Sequence, residues 1–143
     1  MFSKACEYGI RASIFVARQS EKGERSSLKE IAEAINSPIA FTGKILQLLA
    51  KSDILESIKG AGGGYEMEVD SLATVCLLDI VTAIDGENKY NGCALGLQHC
   101  DENHPCPVHF EYRKIREDLF SMLRNATLLK MVSQKTSNTV YLK

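Results

Sequence analysis

Ser27-Leu28-Lys29-Glu30-Ile31-Ala32-Glu33-Ala34-Ile35-Asn36-Ser37-Pro38-Ile39-Ala40-Phe41-Thr42-Gly43-Lys44-Ile45-Leu46-Gln47-Leu48-Leu49 reads as two short helices with a tight turn between them. Ser27 and Glu30 stand three apart ahead of an apolar run, the spacing of a capping box, and Leu28, Ile31, Ala32 and Ile35 make the inner face of the first helix. Asn36-Ser37-Pro38 breaks it and starts the next: Ser37 is placed to cap, Pro38 suits the first helical position, and Phe41, Ile45, Leu48 and Leu49 supply the inner face.

Outward from this pair, Ile54 to Lys59 and Gly64 to Val69 alternate as strands joined by Gly60-Ala61-Gly62-Gly63, a hairpin. On the N-terminal side, Cys6, Ile10, Ile14 and Ala17 recur every three to four residues up to Gly23, an amphipathic helix. Helix, helix, helix, hairpin is the order of a winged helix-turn-helix. A plain αα-hairpin buried in a core is the bland alternative. Four glycines in five positions, more than a hairpin requires, together with Lys59 beside them, favour a wing that approaches a phosphate backbone or a minor groove.

Beyond the wing, Leu77, Ile80, Val81 and Ile84 face inward on a helix that stops at Asp85-Gly86. Val108, Tyr112, Ile115, Leu119, Met122 and Ala126 are spaced alternately four and three, the seam of a coiled coil, which a second copy of the chain would cover in a homodimer. Thr127 to Val132 makes a further short helix before a polar tail. The expected organisation is a mainly α chain with a small β-hairpin wing: DNA-binding domain 1–70, linking helix 71–92, cysteine-rich loop 93–109, dimerisation helices 106–132 and tail 133–143.

Across 143 residues, 17 Lys and Arg face 18 Asp and Glu, so no global field attracts a polyanion, and a nucleic-acid surface must be local. Residues 1–66 carry +1 and the remainder −2, a weak asymmetry in the right sense. No apolar run is long enough to span a bilayer, and Lys4, Glu7, Arg11 and Arg18 interrupt the first helix, so neither a membrane partner nor a leader is expected, and the cytoplasm is the expected compartment. In that reducing setting an odd count of five cysteines points to thiols or ligands.

Three of those cysteines, Cys93, Cys100 and Cys106, fall with His109 in a segment rich in Gly, Asn, Asp, His and Pro, without helical or strand periodicity. Soft thiolates on a loop can wrap one metal centre, with imidazole as the accompanying nitrogen ligand. Iron-sulfur and zinc both suit three cysteines and a histidine. The lack of a Cys-x-x-Cys knuckle counts against an ordinary zinc finger. Cys106 with His104 or His109 also has the residue types of a nucleophile and base, but no acyl-transfer motif or oxyanion loop accompanies them, so neither an enzyme nor a small-molecule substrate is expected. Cys6 and Cys76, among apolar helical neighbours, read as core residues.

With these pieces in order the chain resembles the Rrf-two-type bacterial winged-helix regulators. The resemblance is carried by Tyr8-Gly9-Ile10-Arg11-Ala12, Glu30-Ile31-Ala32-Glu33, Lys44-Ile45-Leu46 with Leu49, the wing Lys59-Gly60-Ala61-Gly62-Gly63-Gly64-Tyr65, Asp79-Ile80-Val81-Thr82-Ala83-Ile84-Asp85-Gly86, and the cysteine triplet. It implies a homodimeric transcription regulator on a double-stranded DNA operator, controlled by an iron-sulfur cluster that reports iron-sulfur status, redox state or nitric oxide. It also implies Cys93, Cys100 and Cys106 as ligands, with His109 or Glu7 of the partner subunit as the fourth, and favours a [2Fe-2S] over a [4Fe-4S] cluster. Six residues separate Cys93 from Cys100 where five is the family's commoner number, and Lys59 stands where arginine is usual, so cluster type and minor-groove reading stay open. A structural zinc or redox-thiol site is the alternative to a cluster. The second helix of the pair would enter the major groove, with Ser37, Ile39, Ala40, Thr42, Gly43 and Lys44 facing bases and phosphates, and Lys59, Gly60, Gly62 and Gly63 touching DNA from the wing.

Overall fold

The computed structural model describes residues 1–134 of the chain, and most of the polar tail expected over 133–143 lies outside them. Among these residues there are six α-helices, α1 (Lys4–Glu21), α2 (Leu28–Ala34), α3 (Ile39–Lys51), α4 (Leu77–Asp85), α5 (His109–Asn125) and α6 (Leu128–Ser133), and a two-stranded antiparallel hairpin, β1 (Glu56–Ile58) and β2 (Gly64–Glu66), that packs on α1. This is the expected mainly α winged helix-turn-helix with a long helix at its C-terminal side.

Helix α1 is the hub, packed against α2, α3, α4 and α6. Ser3 caps it by accepting from the Cys6 amide at 3.0 Å, and Cys6, Ala12, Val16 and Ala17 are fully buried along it. Gly9 lets α4 lie close, since a Cβ there would sit 2.1 Å from Ile84 Cδ1. Helix α2 has both arms of its capping box: the Glu30 amide donates to Ser27 Oγ at 3.2 Å, and the Ser27 amide donates to Glu30 Oε2 at 2.7 Å. Ile31, Ala32 and Ile35 are buried, and Leu28 is only partly covered.

Helix α3 departs from the expected pattern in three ways. Pro38 is the residue before the helix rather than its first, and no side chain caps the end. The Ser37 hydroxyl pairs instead with that of Thr42. The inner face is Thr42, Ile45, Leu46 and Leu49, while Phe41 and Leu48 are exposed. Steps of three, one and three keep those four residues on one stripe, and a buried hydroxyl belongs there because it donates to the Pro38 carbonyl at 2.9 Å.

The strands are shorter than expected, three residues each, paired Glu56 with Glu66, Ser57 with Tyr65 and Ile58 with Gly64. Ile54 and Leu55 are buried in the connection from α3 instead. A single bridge adds Ser26 to the hairpin, its N–H donating to Tyr65 O at 3.0 Å and its carbonyl accepting from the Tyr65 N–H at 2.8 Å. A short 3-10 helix, Val69–Ala73, follows the wing and has no signal in the sequence pattern. α4 ends where Asp85-Gly86 foretold, Gly86 closing it in the left-handed region.

Candidate nucleic-acid interface and cysteine site

The outward face of α3 carries Ile39, Ala40, Lys44, Gln47 and Lys51, all exposed. Ile39, Ala40 and Lys44 therefore stand where the sequence placed them. Thr42 does not: it is fully buried, committed to Pro38 and Ser37, and has no route to a base. Gly43 is half-buried under Leu28, and Ser37 is half-buried. Gln47 and Lys51, one and two turns beyond Lys44, were missed although the helical period from Lys44 pointed to them.

On the wing, Lys59, Gly60 and Gly62 are exposed and Gly63 is half-buried. The glycine excess has a local cause. Gly60, Gly62 and Gly64 take positive φ, and a Cβ on Gly63 would lie 2.2 Å from Ile58 O and 2.8 Å from Gly60 O. All four glycines are thus required by the hairpin's own path, which corrects the argument that they exceed its needs. Among the described residues Lys59 forms no ion pair, and beside the wing stands a second cation that the sequence did not reveal, Arg25, which is paired. Its Nε is 2.8 Å from Glu66 Oε2 and its Nη1 donates to Gly62 O at 3.3 Å.

Residues 86–108 join α4 to α5 without helix or strand, and none is buried. Connections of this length are uncommon in compact domains and are either functional loops or linkers. Local turns shape the loop: Gly96 N donates to Cys93 O at 3.0 Å, His104 N to Asp101 O at 3.3 Å, and His109 N to Cys106 O at 3.0 Å. The Cys93 thiol is drawn below its ordinary value first by the backbone N–H of Leu95 and then of Leu97; burial opposes them, and the neighbouring Cys106 thiol and the Gly96 N–H add to them. Cys100 Sγ lies 3.5 Å from His109 Nδ1 and 3.7 Å from Arg116 Nη1, which also donates to Asn91 O at 3.4 Å.

Of the four sequence candidates, Cys100 and His109 are in contact, and the Cys106 thiol is close enough to that of Cys93 to help lower it. Among the described residues no three Cys, His, Asp or Glu side chains converge as a ready metal site. The donor chemistry nonetheless suits a thiolate-bound group, and one feature of the structure asks for a partner: His109, 4% exposed, has a buried Nε2 with no hydrogen bond. A buried imidazole nitrogen without a partner is costly.

Glu7 is exposed on α1 and paired with Lys4 at 3.0 Å. Cys6 and Cys76 are core residues. Burial, helped by Asp85, pushes the Cys6 thiol up to about 12, and burial also raises Cys76, whose Sγ contacts Asp79 Oδ2 at 3.2 Å.

A helix-turn-helix with its second helix facing outward, a glycine-built hairpin beside it and a long helix carrying an uncovered apolar stripe define a winged-helix transcription regulator. The chain belongs to the Rrf2 family, whose model, described as an iron-dependent transcriptional regulator, matches residues 2–134. The HTH-type transcriptional regulator IscR of Yersinia pseudotuberculosis is 27% identical over 128 residues, 90% of this chain and 76% of that one. Among solved structures, CymR, the global cysteine regulator of B. subtilis, superposes with a TM-score of 0.75 at 23% identity, covering 95% of this chain and 98% of that one. IscR of T. potens superposes with a TM-score of 0.74 at 20% identity, covering 100% and 93%. The family is one of transcription regulators rather than enzymes. No helix among the described residues is long and apolar enough to cross a membrane.

Proposed function

We propose that this protein is a homodimeric, cytoplasmic regulator whose binding to a double-stranded operator depends on an iron-sulfur cluster held by Cys93, Cys100, Cys106 and His109. The observation that carries the reading is His109. It is the first residue of α5, buried, with Nδ1 turned to Cys100 and Nε2 unpartnered, so whatever engages the cysteine loop bears directly on the start of the long helix. Such a cluster supplies a redox-active, chemically labile group. The protein's own part is to hold the thiols on an unburied loop and to end that loop on α5.

Helix α5 supports the dimer. Phe110 and Ile115 are each 63% exposed, and Val108 and Met122 are exposed as well, while Leu123 is the residue that anchors the helix to its own core. Of the expected seam, Tyr112, Leu119 and Ala126 are half-buried and the rest is open, the pattern of a helix packed on one side and available on the other. A second copy supplies the symmetric cover, and two winged helices then address two half-sites. It is from that second copy that Glu7 would reach the cluster as the rival fourth ligand. At each half-site, Ile39, Ala40 and Lys44 face the major groove, joined by Gln47 and Lys51, and Lys59 with Gly60, Gly62 and Gly63 faces the backbone or minor groove.

The test is an absorption spectrum with iron and sulfide analysis on protein purified without oxygen, beside Cys100→Ala. Visible bands with matched iron and sulfide, lost in the variant, are expected. DNA affinity should then differ between loaded and stripped protein, because a ligand without differential affinity shifts nothing. A colourless protein overturns the cluster. The second reading, a thiol switch, draws on the closeness of the Cys106 thiol to that of Cys93 and the backbone N–H groups that favour the Cys93 thiolate. It expects instead that mild oxidant changes DNA affinity of the iron-free protein and that Cys93→Ser abolishes the change.

A further inference from the structure

We propose that Arg25 is the residue that positions the wing for DNA, by clamping it to the helix-turn-helix rather than by touching DNA itself. The inference rests on the reading of the wing as a DNA-contacting element.

The hairpin has only three pairs of residues, too few to hold its own shape, and its tip, Gly60-Ala61-Gly62-Gly63, has only the Ala61 methyl with which to dock. Its base is held by Tyr65 packing on the core and by Met67 N donating to Ser20 Oγ at 2.9 Å, and two further attachments reach the strands and the tip. One is backbone, the double hydrogen bond between Ser26 and Tyr65 at the root. The other is Arg25, the residue before Ser26, whose planar guanidinium grips both a strand and the tip: Glu66 at 2.8 Å and the Gly62 carbonyl at 3.3 Å. Arginine's rigid fork suits two acceptors in different directions, where a lysine would satisfy one.

The surroundings exclude a simpler role. Arg25 lines a cleft of about 600 Å³ between the α1–α2 connection and the wing, together with Glu24, Glu30 and Glu66, and it is the one cation among the lining residues. Glu30 is already committed to the α2 capping box. A guanidinium already paired with Glu66, on a cleft whose other charged lining residues are carboxylates, is poorly placed to serve as a phosphate contact. Holding the tip in one position lowers the ordering cost on binding, so the clamp acts on affinity while contributing little to fold stability, as exposed ion pairs do.

The sign of one substitution separates the two roles. Glu66→Gln removes a negative charge near a polyanion and frees Arg25; a phosphate-contacting Arg25 predicts tighter binding and a steeper salt dependence. The clamp predicts weaker binding. The experiment measures affinity and its salt slope for the best duplex that the wild-type protein enriches from a random-sequence pool, with melting temperature alongside. Arg25→Gln and Glu66→Gln should each weaken binding about two- to fivefold, the range an exposed pair can transmit, with little change in slope or melting temperature. The double variant should be no weaker than either single, and Arg25→Lys should recover part of the loss. Tighter binding by Glu66→Gln, additive losses, or losses that merely follow melting temperature would overturn the clamp. Lys59→Ala distinguishes the two levels: if it leaves affinity and slope unchanged the wing is no DNA contact and both readings fall, whereas if it weakens binding while Glu66→Gln does not, the clamp alone falls.

Discussion

Residues 4–67 and residues 86–108 are built on opposite plans. In the first, each junction is held by a specific bond: the Ser3 cap, the paired arms of Ser27 and Glu30, the Ser26–Tyr65 bridge, and Met67 N donating to Ser20 Oγ at 2.9 Å. In the second, no residue is buried, Leu95 and Leu97 stand exposed, and the long-range contacts to the rest of the fold are a few to α5 and those of Tyr90, which donates to Met1 O at 3.1 Å. The winged helix must present a fixed surface to a duplex, so its shape is over-determined. The loop is where the proposed cluster would be held, and among the described residues no three of its Cys, His, Asp or Glu side chains converge. A rigid reader and a loosely held sensor in one chain is what a switch requires, since a segment of low local stability responds to a ligand more readily than a core does.

The largest expected difference lies in hydrophobic truncation. Leu49→Ala, at a fully buried position, should lower unfolding free energy by about 2–5 kcal/mol. Leu95→Ala with Leu97→Ala should change it by less than about 0.5 kcal/mol. Urea unfolding followed by circular dichroism reads both. Comparable losses would mean that the loop is a packed unit and would break the contrast.

At the boundary between the two regions sits Asp85, its carboxylate 7% exposed, accepting from the Ser3 hydroxyl and from the Ser3 amide at 3.3 Å, with Lys89 at 3.4 Å. Burial acts to raise its pKa, yet the bonds from Ser3 and the pairing with Lys89 outweigh it and hold the carboxyl below its ordinary 3.8. A carboxylate lowered on folding stabilises above its unfolded value, and the contribution is lost as pH falls through the folded one. Asp85→Asn should therefore cost about 1.5–3 kcal/mol at neutral pH, the range for hydrogen bonds to a charged group, and should flatten the acid limb of stability below about pH 4. An unchanged acid limb in a pH series of melting temperatures would show that the joint between α1 and α4 does not depend on this charge. Smaller again is Ser27→Ala, expected to cost about 1 kcal/mol by removing one arm of the capping box.

What the sequence made legible follows the same division. Ser27 with Glu30, Asp85-Gly86 and the apolar faces of α1 and α4 are local signals, each decided within four residues, and the structure repeats them. Thr42 was misread because its hydroxyl suggested an outward role, although its spacing to Ile45, Leu46 and Leu49 already placed it inside. Leu46 and Leu48 were exchanged for want of the same check. Arg25 was invisible because its partner is 41 residues away and the pairing exists only once the wing folds back. In the loop the residue types announced a ligand set, but which thiol meets which is decided by turns with no periodic signal, and so pairs such as Cys100 with His109 required coordinates.

The smallest expected effect is also the most pointed test of the loop's character. Cys100 is half-buried, and its sulfur makes two weak contacts, to His109 Nδ1 at 3.5 Å and Arg116 Nη1 at 3.7 Å, both of which a hydroxyl can keep. In chelator-treated protein, Cys100→Ser should therefore alter unfolding free energy by less than about 0.5 kcal/mol. The same substitution in protein isolated without oxygen should lose whatever added stability the bound group confers, since a ligand that binds only the folded state stabilises it by mass action. Equal, small effects in both preparations would mean that Cys100 holds nothing. A large loss in the chelated protein would mean that the loop is already a finished structural element, and that the contrast between reader and sensor is one of appearance rather than of energy.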